Sequence, residues 1–510
     1  MNEQNPRRSR RSERVAAVLR RINELVRIPR LRLRHITIVE PETFRTAMTG
    51  MIVGNFMEWF DVGVYGYLAV IMGQLFLSGA SPSLQILFSL GVFAVTFVAR
   101  PFGGMFFGWL GDKVGRKKVL ATTLLMMAGS TFLIGLLPTY DRIGVLAPAA
   151  LVLLKLLQGF STGGEYAGAT TFISEYAPDK RRGFLASFLD LGSYMGFAVG
   201  AALVSLLQIF LDPRDMLAYG WRIPFLVAGP LSLFAIYFRM RVEESPAFRE
   251  LLHKGDQEAS TSPESTNPVA VIRGYWRPIL VAMGLVAATQ TVGYALTSYM
   301  PTYFTKVLNY DAAHGTLLTV PVIAFMALSL PFVGRLSDRT GRRPMLWTGS
   351  AITILLSVPA FALMGLGHTW SSLAGLFVMA VAATFYTANL ASSLPSLFPT
   401  SHRYGGMGIA FNISVALFGG TTPFIIESLV QATGNHFAPA YYLMFMSVIG
   451  AISIYFMPES ARRPLPGSMP IVGSVDDAKE LVATQRENPD LVVHELPFPD
   501  EDGAVGSGPH

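Results

Sequence analysis

The chain reads as an all-α membrane protein of twelve transmembrane helices arranged in two six-helix halves, and three observations predict this. Of 510 residues, 15% are charged and 51% hydrophobic, with a mean hydropathy of +0.43, whereas soluble domains carry about 25% charged residues. Apolar runs long enough to span a bilayer, which takes about 20 residues, start near residues 48, 84, 118, 146, 183, 219, 277, 312, 344, 370, 404 and 437. A basic turn between two such runs, Gly108-Trp-Leu-Gly-Asp112-Lys-Val-Gly-Arg116-Lys-Lys118, returns 226 positions later as Gly334-Arg-Leu-Ser-Asp338-Arg-Thr-Gly-Arg342-Arg343. Such a short turn makes its two helices antiparallel neighbours, and its cations belong on the cytoplasmic side.

Residues 1–47 form an arm with twelve Arg, no Lys and five acids. Val15, Val18, Leu19, Ile22, Leu25 and Val26 fall at helical spacing. Either this is an amphipathic helix lying on anionic lipids, or it is a basic tail that only holds the N-terminus inside. The first six-helix half covers 48–240 and the second 276–457. Between them, 241–275 mixes charges with Ser, Thr and Pro and reads as a cytoplasmic linker. The stretch 458–510 has nine acids against four bases after Ala461, with several Pro and Gly, and reads as a cytoplasmic, mostly disordered acidic tail. Lys and Arg crowd one set of connections, at 113–118, 180–182, 335–343 and 403, so both termini are expected to be cytoplasmic.

Several function classes drop out. There is no cysteine, hence no disulfide, thiolate catalysis or cysteine metal site. No cofactor, metal cluster or nucleophile–base set is visible, so an enzyme is not expected. Neither is a nucleic-acid partner, because the net charge of +6 comes from loops and arm.

Ionisable residues inside the spans are the candidates for function, since each is costly in hydrocarbon unless paired or facing water. Glu58 and Asp61 stand at i, i+3 on one face of the first span. At 1.5 Å per residue they lie roughly 15–20 Å from the cytoplasmic end, as do Arg100 and Glu165, with Asp190 slightly shallower. Arg100 keeps its proton and is the natural fixed cation. A structural Arg–acid pair accounts for one carboxylate, and the surplus one can carry a proton. Glu58, Asp61, Glu165 and Asp190 are therefore the proton-coupling candidates. Lys155 reads as lying nearer the outer face.

Trp59, Arg100, Gln290, Tyr294, Thr297, Tyr386 and Asn389 are candidates for a small zwitterion, with cation–π contact for an ammonium group and donors for a carboxylate. Aromatic packing is the competing reading for the tyrosines. Gly108, Asp112, Arg116, Glu175, Arg182, Asp338 and Arg342 are candidates for an inner gate, where Glu175 and Arg182 would cluster with Asp112 and Arg116. Gly159, Gly163, Gly192, Gly196 and Gly200 are small residues at one-turn spacing that let helices approach closely.

The repeated turn resembles the loop signature of the major facilitator superfamily. Asn55-x-x-Glu58-Trp-Phe-Asp61, Arg100-Pro-Phe-Gly-Gly, Leu157-Gln-Gly-Phe-Ser-x-Gly-Gly-Glu165-Tyr, Gly220-Trp-Arg-Ile-Pro-Phe and Phe398-Pro-Thr-x-x-Arg403-Tyr resemble its metabolite:proton symporters, most of all the proline/glycine betaine proton symporters. The resemblance implies the major facilitator fold, alternating access and proton-coupled uptake of compatible solutes across a bacterial inner membrane. A monomer is the expected unit. A proton symporter of an organic acid is the alternative, and a transporter-like membrane sensor is a third reading. Some osmosensing members end in a long coiled coil, which a tail with Pro489, Pro497 and Pro499 cannot sustain.

Overall fold

The computed structural model describes residues 30–39, 41–114, 116–241 and 268–498. The amphipathic stretch expected over 15–26 lies outside them, as does most of the 241–275 linker. Apart from the short pieces that flank them, the remaining helices group in chain order along the twelve expected spans of two halves. Among the described residues nine helices are long and apolar enough to cross a membrane. The bent pair Met48–Tyr67 and Ala69–Phe76, which together make the first span, raises this to ten.

Backbone chemistry sets where these helices stop. Gly341, between the helices Thr319–Thr340 and Arg342–Gly365, has φ +102°, which a residue with a Cβ adopts only at a cost. This is the turn glycine that the repeated basic motif calls for. The seventh span starts earlier than expected, at Pro268, and bends at Tyr275, where φ and ψ leave helical values. Apolar Val269 to Ile272 extend the helix into a stretch that its charges and polar residues mark as linker.

Small residues decide which spans touch. A Cβ on Gly159 would collide with the carbonyl of Thr96, and one on Gly196 with the carbonyl of Phe56. The second and fourth spans, and the first and fifth, therefore pack backbone to backbone. The halves meet along the fifth span against the eighth and the second against the eleventh.

The stretch 458–498 corrects the expectation of a disordered tail. Ile471–Val472 pairs in parallel with Thr37–Ile38 of the arm. Val475–Thr484 is a helix whose cap, Ser474, accepts from the Asp477 amide at 3.1 Å. Leu31, Ile36, Val472, Ala478 and Leu491 bury one another in a separate small core, and Gln485 holds the Leu31 amide at 2.9 Å. Composition counts only one chain segment at a time. Here two segments more than 400 residues apart supply one core, so neither carries the signal alone.

This cap sits on the end of the bundle where the repeated turns lie. Asp179 accepts from the Ile471 amide at 3.0 Å, and the Arg182 guanidinium donates to the Arg463 carbonyl at 3.0 Å. Arg462 donates to the Asp338 carbonyl at 2.7 Å, and Arg403 to that of Pro466 at 2.8 Å. The tail thereby ties the two halves together.

Truncating Leu31, which is 1% exposed in this core, to Ala should cost the cap about 2–5 kcal/mol, the usual penalty for emptying a buried Leu site. Amide exchange over 472–484 should accelerate strongly while the span helices stay protected. Equal protection in both would show that the cap does not depend on this core.

Candidate functional site

Of the first-half charges expected at one depth, Glu58 and Arg100 meet, while Asp61 and Asp190 take other partners. Arg100, on the helix Pro82–Val114, forms an ion pair with Glu58, and its Nε donates to Thr162 Oγ1 at 3.0 Å. Both partners are nearly fully buried. The guanidinium also lies 5.6 Å from the Trp59 ring and 5.4 Å from that of Phe97. Its Nη1 has no hydrogen-bond partner among the described residues.

Asp61 is one helical turn away and takes no part in that pair. Its Oδ2 accepts from Thr131 at 3.0 Å, and its Oδ1 has no partner among the described residues. Thr131 Oγ1 in turn accepts from Gln158 Nε2 at 3.0 Å, and Gln158 Oε1 accepts from Lys155 Nζ at 2.8 Å. The ammonium sits 4.1 Å from the ring centre of Tyr65, a cation–π contact. Lys155 is thus a buried counter-charge at the far end of a two-residue relay. Its distance from the cytoplasmic end hid this role in the sequence, because depth says nothing about rotation around the helix.

A small cavity of about 20 Å³ lies between the halves. The first span contributes Trp59, the fourth Tyr166, and the fifth Asp190, Ser193, Tyr194 and Phe197. The seventh contributes Gln290, Gly293, Tyr294 and Thr297. Trp59, Gln290, Tyr294 and Thr297 thus line it as their spacing implies. Asn55 aims Trp59 by accepting from its indole N–H at 3.1 Å, and is itself held by Leu189 and Ser193 of the fifth span.

Three expected binders lie elsewhere. Arg100 stands outside the lining, against the Trp59 and Phe97 rings. Tyr386 bonds Ser447 at 2.6 Å, and the Asn389 amide donates to the Phe385 carbonyl of its own helix at 2.8 Å. Tyr386 follows the packing reading, with its hydroxyl satisfied inside the second half, whereas Asn389 Oδ1 has no partner among the described residues. Glu165 is buried at the start of the helix Glu165–Tyr176 and does not line the cavity, whereas Asp190 does. Glu427 is held by Tyr299 at 3.0 Å and Gln431 at 2.8 Å.

At the turn-bearing end, Asp338 reaches across the halves. Its two oxygens accept from the Gly183 and Phe184 amides at 2.8 Å each, and Arg342 stands 3.6 Å away. Glu175 pairs with Arg403 of the second half at 2.6 Å. Arg182 pairs instead with Asp179, so the expected Glu175–Arg182 cluster is two separate contacts. The helix turn between Glu175 and Arg182 points the acid at the opposite half, a direction that sequence spacing cannot report. The side chains of Asp112 and Arg116 lie outside the described residues, as do those around Gly108.

Glu459, just past the last span, caps the start of the helix Arg342–Gly365. It accepts from the Arg342 and Arg343 amides at 2.9 and 3.0 Å and from those of Ser460 and Ala461. Burial alone would push its carboxyl up, but these N–H groups hold it below the ordinary range.

The Major Facilitator Superfamily model matches residues 51–423 and 311–477. The Ectoine/proline transporter ProP of Corynebacterium glutamicum is 48% identical over 93% of this chain and 96% of its own. The Proline/betaine transporter of Escherichia coli is 44% identical over 89% and 92%. The Glycine betaine/proline/ectoine/pipecolic acid transporter OusA of Dickeya dadantii is 43% identical over 91% and 93%. Among solved structures, the proton:xylose symporter XylE bound to 6-bromo-6-deoxy-D-glucose superposes with a TM-score of 0.68. It is 18% identical, over 83% of this chain and 98% of that one.

The cross-half contacts make a concrete expectation. Asp338→Ala leaves the Gly183 and Phe184 amides without their acceptor, a loss of about 1–3 kcal/mol for each group that stays buried. Separation of the halves at this end should become tenfold more populated or more. A chain without cysteines takes spin labels cleanly at exposed positions 181 and 339. An unchanged label-to-label distance distribution would rule out this latch.

Proposed function

The chain belongs to the Major Facilitator Superfamily, and from that premise we propose that it imports zwitterionic compatible solutes such as proline and glycine betaine together with protons. It is a multi-pass membrane protein whose relatives are transporters rather than enzymes. The names of those relatives support the solute class. In this reading the protein sits in a bacterial inner membrane, both termini face the cytoplasm, the monomer is the working unit and the halves alternate access to the central cavity. The arm's role on anionic lipids remains part of the proposal.

The observation that carries proton coupling is the unequal pairing of the two neighbouring carboxylates. Glu58 is neutralised by a guanidinium that stays protonated, so adding a proton to it would break a buried ion pair and leave Arg100 uncompensated. Asp61 has only hydroxyl contact and an unpartnered oxygen. Protonating it removes a buried negative charge, and losing the proton leaves an anion that Lys155 can balance through Gln158 and Thr131. Asp61 is therefore the proton carrier and Glu58 the structural partner.

This choice has a direct consequence for variants. Asp61→Asn imitates the protonated state. In proteoliposomes it should abolish gradient-driven accumulation, while exchange between equal proline pools stays within about threefold of the parent. Glu58→Gln strands Arg100 and should lower expression and exchange together, consistent with a loss of about 3–5 kcal/mol on breaking a buried pair. Accumulation along an imposed proton gradient by Asp61→Asn would move the proton site to Glu165.

The organic-acid alternative meets a different difficulty. The central cavity offers a carboxylate, Asp190, and no cation among its lining residues. Uptake of labelled proline, glycine betaine and 2-oxoglutarate in the same vesicles tests it, with the dicarboxylate expected to stay at background.

A further inference from the structure

We propose that Asp190 is the residue that selects the ammonium end of the solute, acting with the ring cluster around it, and that it does not carry the coupled proton. The inference rests on the zwitterion reading above and deepens it. Asp190 lines the central cavity and is 5% exposed. Its Oδ1 has one weak donor, the Tyr166 hydroxyl at 3.4 Å, and its Oδ2 has no partner among the described residues. A buried carboxylate aimed into a cavity with an oxygen unused is an unmet demand for a donor or a cation.

The walls suit a cation as well. The Trp59 ring stands 6.0 Å from that of Tyr294 and 5.5 Å from that of Phe197, and Tyr194 stands 6.0 Å from Phe197. Tyr166 is fixed from behind by stacking on Phe411 at 4.1 Å. Aromatic faces around an ammonium group attract it through their quadrupoles, most strongly where water is excluded. An alkylated ammonium, which offers few or no N–H donors, is held by such rings and by the charge of Asp190 without needing a hydrogen bond.

The seventh span adds neutral donors: Gln290 lines the cavity, and the Tyr294 hydroxyl has no partner among the described residues. These groups suit a carboxylate, while the nearest guanidinium, Arg100, is already bound to Glu58 behind the Trp59 ring. The lining thus holds an acid and no base, which suits a zwitterion or a cation better than an anion.

The test is equilibrium binding of labelled glycine betaine to the purified full chain, with two half-molecules as competitors. Tetramethylammonium carries the cation alone and acetate the carboxylate alone. Tetramethylammonium should displace the label and acetate should not do so at a hundredfold higher concentration. In vesicles, Asp190→Asn should raise the KM for both betaine and proline at least tenfold, with the pH profile and the accumulation ratio at saturating solute unchanged. Tyr194→Leu should weaken betaine more than proline, whereas Tyr194→Phe should weaken neither by more than threefold.

Displacement by acetate but not by tetramethylammonium overturns the assignment, and does so even if Asp190→Asn fails to fold. Loss of accumulation by Asp190→Asn with an unaltered KM also overturns it, because Asp190 would then be a proton carrier. Absence of proton-driven uptake by the parent chain would instead defeat the transport reading, while the binding competition would still decide the role of the cavity.

Discussion

The ion pair between Glu58 and Arg100 is the constraint from which the first half takes its form. An arginine in the middle of a membrane span cannot shed its proton, so it must have an anion beside it. Meeting that requirement fixes the rotation of the first span against the second, because only one face of each carries the charge. Asn55, Glu58 and Trp59 lie on neighbouring turns of that face. Asn55 then bonds the fifth span, and Trp59 forms the cavity wall. One electrostatic demand thus positions both Glu58 and the cavity-facing indole.

Close helix approach makes that pairing possible. The carbonyl of Thr96 occupies the space that a Cβ at Gly159 would need, and the carbonyl of Phe56 occupies that of Gly196. With larger residues the second and fourth spans would stand further apart, and Thr162 could no longer reach Arg100 at 3.0 Å. In a bilayer there is little hydrophobic gain from pressing helices together, so contact depends on dispersion and on polar bonds of this kind. The glycine spacing and the buried charges are therefore one device.

The features legible in the sequence were those written in local patterns. Apolar runs, the repeated turn and the positive-φ position of Gly341 depend on neighbouring residues only, and helical rise alone put Glu58 and Arg100 at one depth. What could not be read needed rotation or long-range pairing. The relay from Lys155 to Asp61 runs through Thr131 on a third helix. The switch of Glu175 from Arg182 to Arg403 depends on how the fourth and eleventh spans approach each other. Asp190 looked equivalent to Glu165 because both are lone acids at similar depth, and only the rotation of the fifth span about its own axis sets Asp190 in the cavity. The cap of arm and tail was hidden for the same reason, since Leu31 and Leu491 make one core from two unremarkable segments.

The cap also changes how the closed end of the bundle is held. Asp338 and Glu175 alone would close it with three cross-half bonds. Arg462, reaching the Asp338 carbonyl, and Arg403, reaching that of Pro466, put the tail on the second half, while Asp179 and Arg182 fasten the same tail to the first. Hydrogen bonds to charged groups are worth about 1.5–3 kcal/mol each when buried, but those at a surface regain water as they open, so their sum overstates the barrier. What matters more is that they act in parallel with the latch. The halves can separate only if the tail leaves one of them, and the side it stays with decides which loop is uncovered. The Pro and Gly residues between Ala461 and Ile471 give that segment no regular structure to break. The tail can therefore follow one half as a body, at little cost beyond the bonds it releases.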